Sequence, residues 1–401
     1  MNVELSQENA LSLVLSCSSV AIALFIGHLF FLRAVKYPVY VPLIACVLSC
    51  AILLSQPLWQ FVAPIFQIPM LSFSLPALYS LPVFFWLYVK GLTQTTPWSF
   101  TCAEAKHFVL PSLGVIIAIT ALLLPKDVQR SLFVHGRDEA LSLLPAWLQV
   151  FTYGMLIITF VMVLAWIVYA CTYGFWIWRR LAKYKAQLKT VFSSTETQEA
   201  RWITWLLTLI GVSVLCAGGV LFLDNLAGPI ALPSYYLHGM GLWFIWGLSV
   251  WGLRQKPGFS TFYASDLDTQ ALVSSIEQKK YQNSGLQDAQ AQNIAQKIHR
   301  VMNNEQLFLD STLSLPKLAK HVSCAPNYVS QTLNDVMKTT FFDYVNEWRI
   351  ERAKQLLIES NDTVLNIAFA VGFNAKSSFY TAFKKCTAMT PTQFRKMRQH
   401  K

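Results

Sequence analysis

Few residues in the first 256 positions have side chains that could do chemistry. His28, Asp224, Asn225 and His238 stand in or at the ends of long apolar stretches, where a polar or ionisable side chain is a candidate ligand-binding group. Such side chains also serve as interfacial or helix–helix contacts, and the sequence leaves both roles open. The chain has no H-E-x-x-H motif, no P-loop and no plausible Ser/His/Asp set, so we expect no enzymatic activity.

The eight cysteines carry no metal-binding or redox pattern. No two of them have C-x-x-C spacing, six lie in or beside apolar runs, and Cys324 and Cys386 lie in the C-terminal part of the chain. Buried cysteine commonly behaves as a small hydrophobic residue. We therefore expect neither a disulfide framework nor a metal site, and no cofactor.

Composition indicates that much of the chain lies in a membrane. Hydrophobic residues make up 54% and charged residues 13%, about half of the usual charged share. Seven apolar stretches approach or exceed the roughly twenty residues that a transmembrane helix needs. They run from Ala10 to Leu32, Val39 to Leu58, Leu71 to Val89, Phe108 to Leu124, Trp147 to Trp176, Trp202 to Leu223 and Ser234 to Leu253. We expect a seven-helix transmembrane domain over residues 1–256.

The distribution of Lys and Arg predicts the orientation of these spans. Loops on the side of the C-terminus carry most of the basic residues, including the run from Arg179 to Arg201. The opposite loops are nearly bare, or their basic residues are balanced by acidic ones. Because basic loops stay on the cytoplasmic side, we expect the N-terminus outside and everything after Leu253 in the cytoplasm.

The fifth span is longer than a bilayer requires. No charge occurs from Pro145 to Trp178, and a continuous helix of that length would run roughly 50 Å against a hydrocarbon core of about 30 Å. Tilt with interfacial tryptophans explains the excess. The alternative is a helix that projects into the cytoplasm as a signalling rod, and tilt is the simpler account.

Residues 257–310 predict a cytoplasmic linker that contains one amphipathic helix. Between Asp288 and Asn303 the apolar residues Ile294, Ile298 and Val301 return at three- and four-residue spacing, which is typical of a helix with one buried face. The helix could pair with a second copy of the chain or pack on the domain that follows.

The densest positive charge lies at the C-terminal end. Residues 311–401 contain thirteen Lys and Arg against six Asp and Glu, a net charge of +7, whereas residues 257–310 carry −2. A compact basic segment favours a polyanionic partner, either nucleic acid or anionic lipid.

The same arrangement of short helices occurs twice in this basic segment. Each copy predicts a short helix, a tight turn and a second short helix, with Ser323 at the first turn and Gly372 at the second. Two short helices joined by a tight turn fit a helix-turn-helix, whose second helix enters the major groove of DNA. The predicted helices run from Leu315 to Val322, Pro326 to Met337, Phe342 to Glu359, Val364 to Val371 and Lys376 to Cys386.

Three stretches of this segment resemble the signature of AraC-type (AraC/XylS) transcription regulators. They are DYVNEWRIERAKQLL from Asp343, VLNIAFAVGFNAKSSFYTAFKK from Val364 and MTPTQFRK from Met389. The resemblance extends from about Leu313 to Lys396. The apolar region before it is similar to a membrane-bound branch of the family, and this places the chain in the bacterial inner (cytoplasmic) membrane.

The resemblance implies two helix-turn-helix units whose second helices enter successive major grooves of double-stranded DNA. It also implies RNA polymerase as a partner and allows a homodimer. By the family pattern Tyr328, Val329 and Leu333 lie in the core of the first unit, and Phe379 and Phe383 in that of the second. The residues expected to face or hold DNA are Asn327, Ser330, Gln331, Lys376, Ser377, Tyr380, Thr381, Lys384, Lys385, Arg395 and Lys396.

The chain departs from the family pattern at three positions. Gln331 and Thr381 stand where many members have Arg, so the base preference should differ and the affinity should depend on the neighbouring lysines. Ala388 stands where the family usually has Gly, which puts the turn before Met389 in question.

The sequence therefore predicts an all-α protein: a seven-span membrane domain over residues 1–256, a linker over 257–310 and a double helix-turn-helix domain over 311–401. It predicts a membrane-tethered, sequence-specific DNA-binding regulator that could sense a signal through its spans. Two rivals remain: a receptor or transporter whose basic tail binds anionic lipid, and a membrane scaffold that binds protein.

Overall fold

The computed structural model describes residues 6–94, 98–137, 139–194, 202–208, 210–211, 234–255 and 288–399. Within these ranges the secondary structure is helical, with one isolated antiparallel bridge between Phe192 and Ser314. The chain divides into two compact units: Met1–Arg180 with Ala200–Pro257, and Leu181–Glu199 with Gly258–Lys401. The boundaries differ from the expected ones because a segment near residue 190 groups with the C-terminal part.

The first unit is built from long apolar helices and short connecting ones. Its helices are α1 (Gln7–Ala34), α2 (Tyr40–Leu54), α3 (Gln56–Phe61), α4 (Gln67–Ser72), α5 (Ser74–Thr93), α6 (Val109–Leu123), α7 (Lys126–Phe133), the first part of α8 (Ala146–Val191) and α9 (Ser234–Arg254). Residues 202–208 are also helical. Three 3₁₀ turns, Pro64–Phe66, Cys102–Phe108 and Glu139–Leu143, join these helices.

Four helices of the described residues are long and apolar enough to cross a membrane: Gln7–Ala34, Ser74–Thr93, Cys102–Leu123 and Ala146–Val191. The shorter helix Tyr40–Leu54 is also apolar. Four is fewer than the seven spans expected. α2 ends near the expected proline break, and residues 212–233, which hold most of the expected sixth span, lie outside the described residues.

Polar side chains inside the first unit bond to neighbouring helices. The Tyr40 hydroxyl accepts from Arg33 Nη1 at 3.2 Å and donates to the Gln255 carbonyl. The Tyr79 hydroxyl donates to the Met162 carbonyl at 2.6 Å. Such bonds remove the cost of leaving a buried polar group unpaired, and they fix the packing of α2 on α9 and of α5 on α8.

The second unit holds the end of α8 and seven further helices. They are α10 (Asp288–Asn304), α11 (Leu315–His321), α12 (Pro326–Gln331), α13 (Phe341–Glu359), α14 (Val364–Ala370), α15 (Lys376–Thr387) and α16 (Pro391–Gln399). A 3₁₀ turn occupies Leu307–Leu309, and a π-helical turn, Thr332–Val336, follows α12.

Two hydrophobic cores share the long helix α13. We call α11 and α12 the first helix pair, and α14 and α15 the second. The first core contains Phe341 and Val345 from the start of α13, with Leu318 and Val329 from the first helix pair. The second contains Ala353 and Leu357 from the end of α13, with residues of α14, α15 and α16. One helix therefore supports both helix pairs, and the amphipathic helix α10 packs into the first core through Ile294, Ile298, Val301 and Met302.

Candidate nucleic-acid interface

The second helix of the second pair, α15, is anchored by two buried aromatic rings. Phe379 and Phe383 are fully buried, with their ring centroids 5.6 Å apart and the rings tilted by 58°, which confirms their expected place in the core. Since residues four apart share a helix face, anchoring this face turns the opposite one outward.

The outward face of α15 carries most of the side chains that the sequence singled out. Lys376, Ser377 and Thr381 are exposed, and Tyr380 is half-buried. Lys376 Nζ lies 5.4 Å from the centre of the Tyr380 ring, and Lys384 is exposed one turn further on. Hydroxyl, phenol and ammonium groups on one such face suit contacts to base edges and phosphates.

Two of the expected DNA-contacting cations are bound to the protein itself. Lys385 Nζ lies 2.6 Å from Asp343 Oδ1, and this hydrogen bond raises the pKa of Lys385. Arg395 Nε donates to the Leu357 carbonyl at 3.2 Å, and its Nη2 donates to the Asp362 carbonyl at 2.7 Å. Arg395 thus joins α16 to the end of α13, while Lys396 is exposed.

The first pair presents a different face from the one expected. Ser330 is only 6% exposed, so its expected solvent-facing position was wrong, and Tyr328, expected in the core, is 43% exposed. Val329 and Leu333 are buried as expected. The cause is local: Ser330 lies three residues before the buried Leu333 and therefore shares its side of the helix.

The outward face of this pair includes one residue that sequence reasoning missed. Asn327 and Gln331 are half-buried, and Asn334 is exposed, with its Nδ2 3.5 Å from Ser330 Oγ. Residues 327, 331 and 334 follow the four- and three-residue spacing of one helix face, a signal that was available in the sequence. An amide side chain can make a bidentate contact to adenine.

Three residues with a positive φ form tight turns: one within each helix pair and one after α15. Ser323 has a φ of 53° and Gly372 a φ of 92°, and both lie where the sequence placed the turns. A Cβ on Gly372 would stand 2.8 Å from the carbonyl oxygens of Phe308 and Leu309, so glycine is required there for space as well as for φ. Ala388, at the position in question, takes the left-handed conformation with a φ of 60° and caps α15.

The connecting helix α13 has a length suited to its position between the two pairs. Its 19 residues make it about 28 Å long, comparable with the roughly 34 Å between successive major grooves. The Thr340 hydroxyl caps its first turn by accepting from the Asp343 amide at 3.1 Å, which fixes where the helix starts.

Of the four candidate ligand-binding residues in the first unit, the structure describes two. His28 is exposed on α1, and His238 is half-buried on α9. Asp224 and Asn225 lie outside the described residues. A ligand-binding role for these four residues stays a prediction.

Comparison with known proteins agrees with this geometry in the C-terminal part. Residues 318–397 match the model of a family described as "Helix-turn-helix domain". Over 92 residues the chain is 34% identical to the melibiose operon regulatory protein of Escherichia coli K12, covering 23% of this chain and 30% of that protein. Over 112 residues it is 30% identical to the uncharacterized HTH-type transcriptional regulator YtdP of Bacillus subtilis, covering 28% and 14%.

Solved structures also match this part of the chain. The C-terminal domain of the response regulator yesN from Fusobacterium nucleatum is 31% identical, with a TM-score of 0.24, over 26% of this chain and 98% of that one. The C-terminal domain of AraT from Geobacillus stearothermophilus is 28% identical, with a TM-score of 0.24, over 29% and 89%.

The match is confined to one domain, since the chain spans about a third or less of the length of these curated relatives. Residues 318–397 form a helix-turn-helix domain. One of these relatives is an operon regulatory protein by name and the other a transcriptional regulator, which supports DNA binding by this domain.

Proposed function

We propose that the chain is a membrane-tethered transcription regulator that binds specific double-stranded DNA sequences through both helix pairs. The observation that carries the proposal is the outward face of α15. Lys376, Ser377, Tyr380 and Thr381 project from a helix whose other face is held by fully buried Phe379 and Phe383. The same arrangement at α12 presents Asn327, Gln331 and Asn334, and α13 spaces the two pairs for successive grooves.

The DNA contacts that we propose differ from the sequence-based set in three respects. Asn334 joins the reading face of the first pair, whereas Ser330, which is buried, supports that face from inside. Lys385 and Arg395 hold α15 and α16 against α13, so phosphate contacts fall mainly on Lys376, Lys384 and Lys396. Among the carboxylates, only Asp343 is bonded to a lysine of α15 in the described residues, which leaves that helix a cationic surface.

Tethering is proposed on two grounds. Four described helices are apolar and long enough to cross a bilayer, and the excess of Lys and Arg on alternate loops puts the C-terminal part on the cytoplasmic side. We propose the bacterial inner membrane as the location and RNA polymerase as a further partner. A seven-span bundle, a homodimer and signal sensing by the first unit belong to the same proposal.

Genome-wide crosslinking of the intact protein to DNA in cells tests this function. We expect discrete peaks that share a sequence motif with two half-sites about one helical turn apart. A matched strain that carries Lys376→Ala and Gln331→Ala should lose those peaks at equal protein abundance. Absence of discrete peaks with the unaltered chain would overturn the proposal and favour a lipid-binding or scaffolding tail.

A further inference from the structure

Arg349, in the middle of α13, is fully buried. A buried guanidinium is costly unless its donors find oxygens. Two of them bond to the chain just before the first helix pair: Nε to the Phe308 carbonyl at 2.8 Å and Nη2 to the Asp310 carbonyl at 2.9 Å.

Three further contacts of Arg349 come from a segment more than 150 residues earlier. Nη1 donates to the Ser193 carbonyl at 3.3 Å and to Ser194 Oγ at 3.1 Å, and Nη2 donates to Ser193 Oγ at 3.2 Å. Both serines are buried. We call Phe192–Ser194 the strap.

The strap also pairs with the backbone at the start of the first helix pair. Phe192 and Ser314 form the isolated antiparallel bridge. The Ser193 amide donates to the Leu313 carbonyl at 3.2 Å, and its hydroxyl donates to the same oxygen at 2.7 Å. The Ser193 hydroxyl thus donates to the Leu313 carbonyl, just before the first helix pair, and accepts from Arg349 of α13. A hydroxyl can do both because it is a donor and an acceptor.

Arg349 is at the junction of the two helix pairs. Its guanidinium carbon lies 5.5 Å from the centre of the Phe373 ring, and Nε would lie 3.1 Å from a Cβ on Gly372. Asn374 Nδ2 bonds to the Ser311 carbonyl at 3.2 Å beside it. Arg349 therefore contacts the strap, the backbone just before the first helix pair, and the turn within the second pair.

The strap follows the last residue of α8 directly in the chain. The Phe192 amide continues the hydrogen-bond pattern of that helix by donating to the Leu188 carbonyl at 2.8 Å. α8 is one helix of 46 residues, about 69 Å long, and it contains the most hydrophobic of the four candidate spans. Leu181, Tyr184, Leu188 and Val191 form a buried stripe along its last turns. The chain therefore passes from a candidate span to the strap without residues 258–287 between them.

We propose that the DNA-binding domain contains a docking site for the strap, with Arg349 as its anchor, and that the docked strap holds the two helix pairs in the arrangement that binds DNA. The membrane helix would then act on DNA affinity by docking or withdrawing the strap. The predicted effect on DNA affinity rests on the proposed function. Docking of the strap at Arg349 does not depend on that function.

Disulfide trapping in the full-length protein in native membranes tests docking without reference to DNA. The Cα atoms of paired residues in antiparallel strands are about 4.5–5.5 Å apart, within the range that a disulfide spans. We expect Phe192→Cys with Ser314→Cys to crosslink on mild oxidation, with the linked peptide identified by mass spectrometry. The control is Phe192→Cys with Ser360→Cys, because Ser360 is eleven residues beyond Arg349 along the α13 direction, or about 16 Å.

The control pair should remain unlinked under the same conditions. Failure of the 192–314 pair to crosslink, or equal crosslinking of both pairs, would overturn docking whether or not the protein binds DNA.

DNA affinity tests the consequence of docking. The probe is a duplex recovered by genomic crosslinking of the intact protein, measured against the full chain in nanodiscs. We expect Ser193→Ala with Ser194→Ala to weaken specific binding about tenfold, because buried donors of Arg349 lose their acceptors, and to leave binding to an unrelated duplex unchanged. The oxidised 192–314 crosslink should retain specific affinity. Specific affinity unchanged by the double serine variant would overturn the coupling.

Discussion

Lys385 Nζ and Asp343 Oδ1 lie 2.6 Å apart and join α15 to the first turn of the connecting helix α13. The Asp343 carboxylate also accepts from the Thr340 hydroxyl at 3.1 Å. The pairing keeps Lys385 protonated, since the hydrogen bond to Asp343 raises its pKa, but it directs the charge towards the protein.

This pairing predicts unequal roles for the lysines of α15. Lys385→Ala should change DNA affinity much less than Lys376→Ala, whereas Asp343→Asn should release Lys385 and strengthen non-specific binding at low salt. Binding measured over a range of salt concentrations checks this, because each additional phosphate contact steepens the salt dependence by about one. Equal losses in Lys385→Ala and Lys376→Ala would contradict the assigned roles.

Gly372 should be intolerant of any side chain. We expect Gly372→Ala to destabilise the second unit by about 2–4 kcal/mol, because the new Cβ would meet two carbonyl oxygens and the backbone has a positive φ. Hydrogen exchange of residues 288–399 in the full-length protein measures the effect. Unchanged protection would mean that this turn relaxes without cost.

Ala388 offers the opposite change at a matched position. It has a φ of 60°, a conformation that costs an L-residue about 1 kcal/mol relative to glycine. Ala388→Gly should therefore stabilise the domain by about 1 kcal/mol, which corresponds to about 4–8 °C in Tm for a domain of this size. A lower Tm would show that the methyl group contributes packing that outweighs the backbone strain.

Asp310 should make the stability of the second unit sensitive to acid. Partial burial raises the pKa of its carboxyl, but hydrogen bonds from Thr312 and Lys317 outweigh burial and hold the pKa below its usual value. A depressed pKa contributes stability at neutral pH that is lost as the pH falls through the folded pKa, below about 4.

We therefore expect Asp310→Asn to be less stable than the unaltered protein at pH 7 and to approach it in acid. The apparent Tm of the full-length protein between pH 7 and pH 3.5 measures this convergence. A difference that stays constant with pH would show that the carboxylate charge is not involved.

The sequence was informative where local patterns decide the structure. The buried positions of Phe379 and Phe383 followed from the family pattern, and the turns at Ser323 and Gly372 from the breaks between short predicted helices. The sequence-based assignment exchanged Tyr328 and Ser330, although the three-residue spacing between Ser330 and Leu333 is that of one helix face.

Long-range contacts were beyond the sequence. The partners of Arg349 at Ser193 and Ser194 are more than 150 residues away in the chain, and no local pattern pairs them. The 34 uncharged residues from Pro145 to Trp178 favoured tilt over projection into the cytoplasm, whereas the helix continues through the basic run to Val191.

The most direct test of the central claim is the affinity of the full chain for a crosslinked genomic duplex against an unrelated duplex of equal length. We predict that Lys376→Ala and Gln331→Ala each reduce specific affinity at least fivefold, because each removes a base or phosphate contact. Lys297→Ala, which removes the same charge from an exposed position on α10, should leave it unchanged. Specific affinity unaffected by both recognition-helix variants, or reduced equally by Lys297→Ala, would contradict the account.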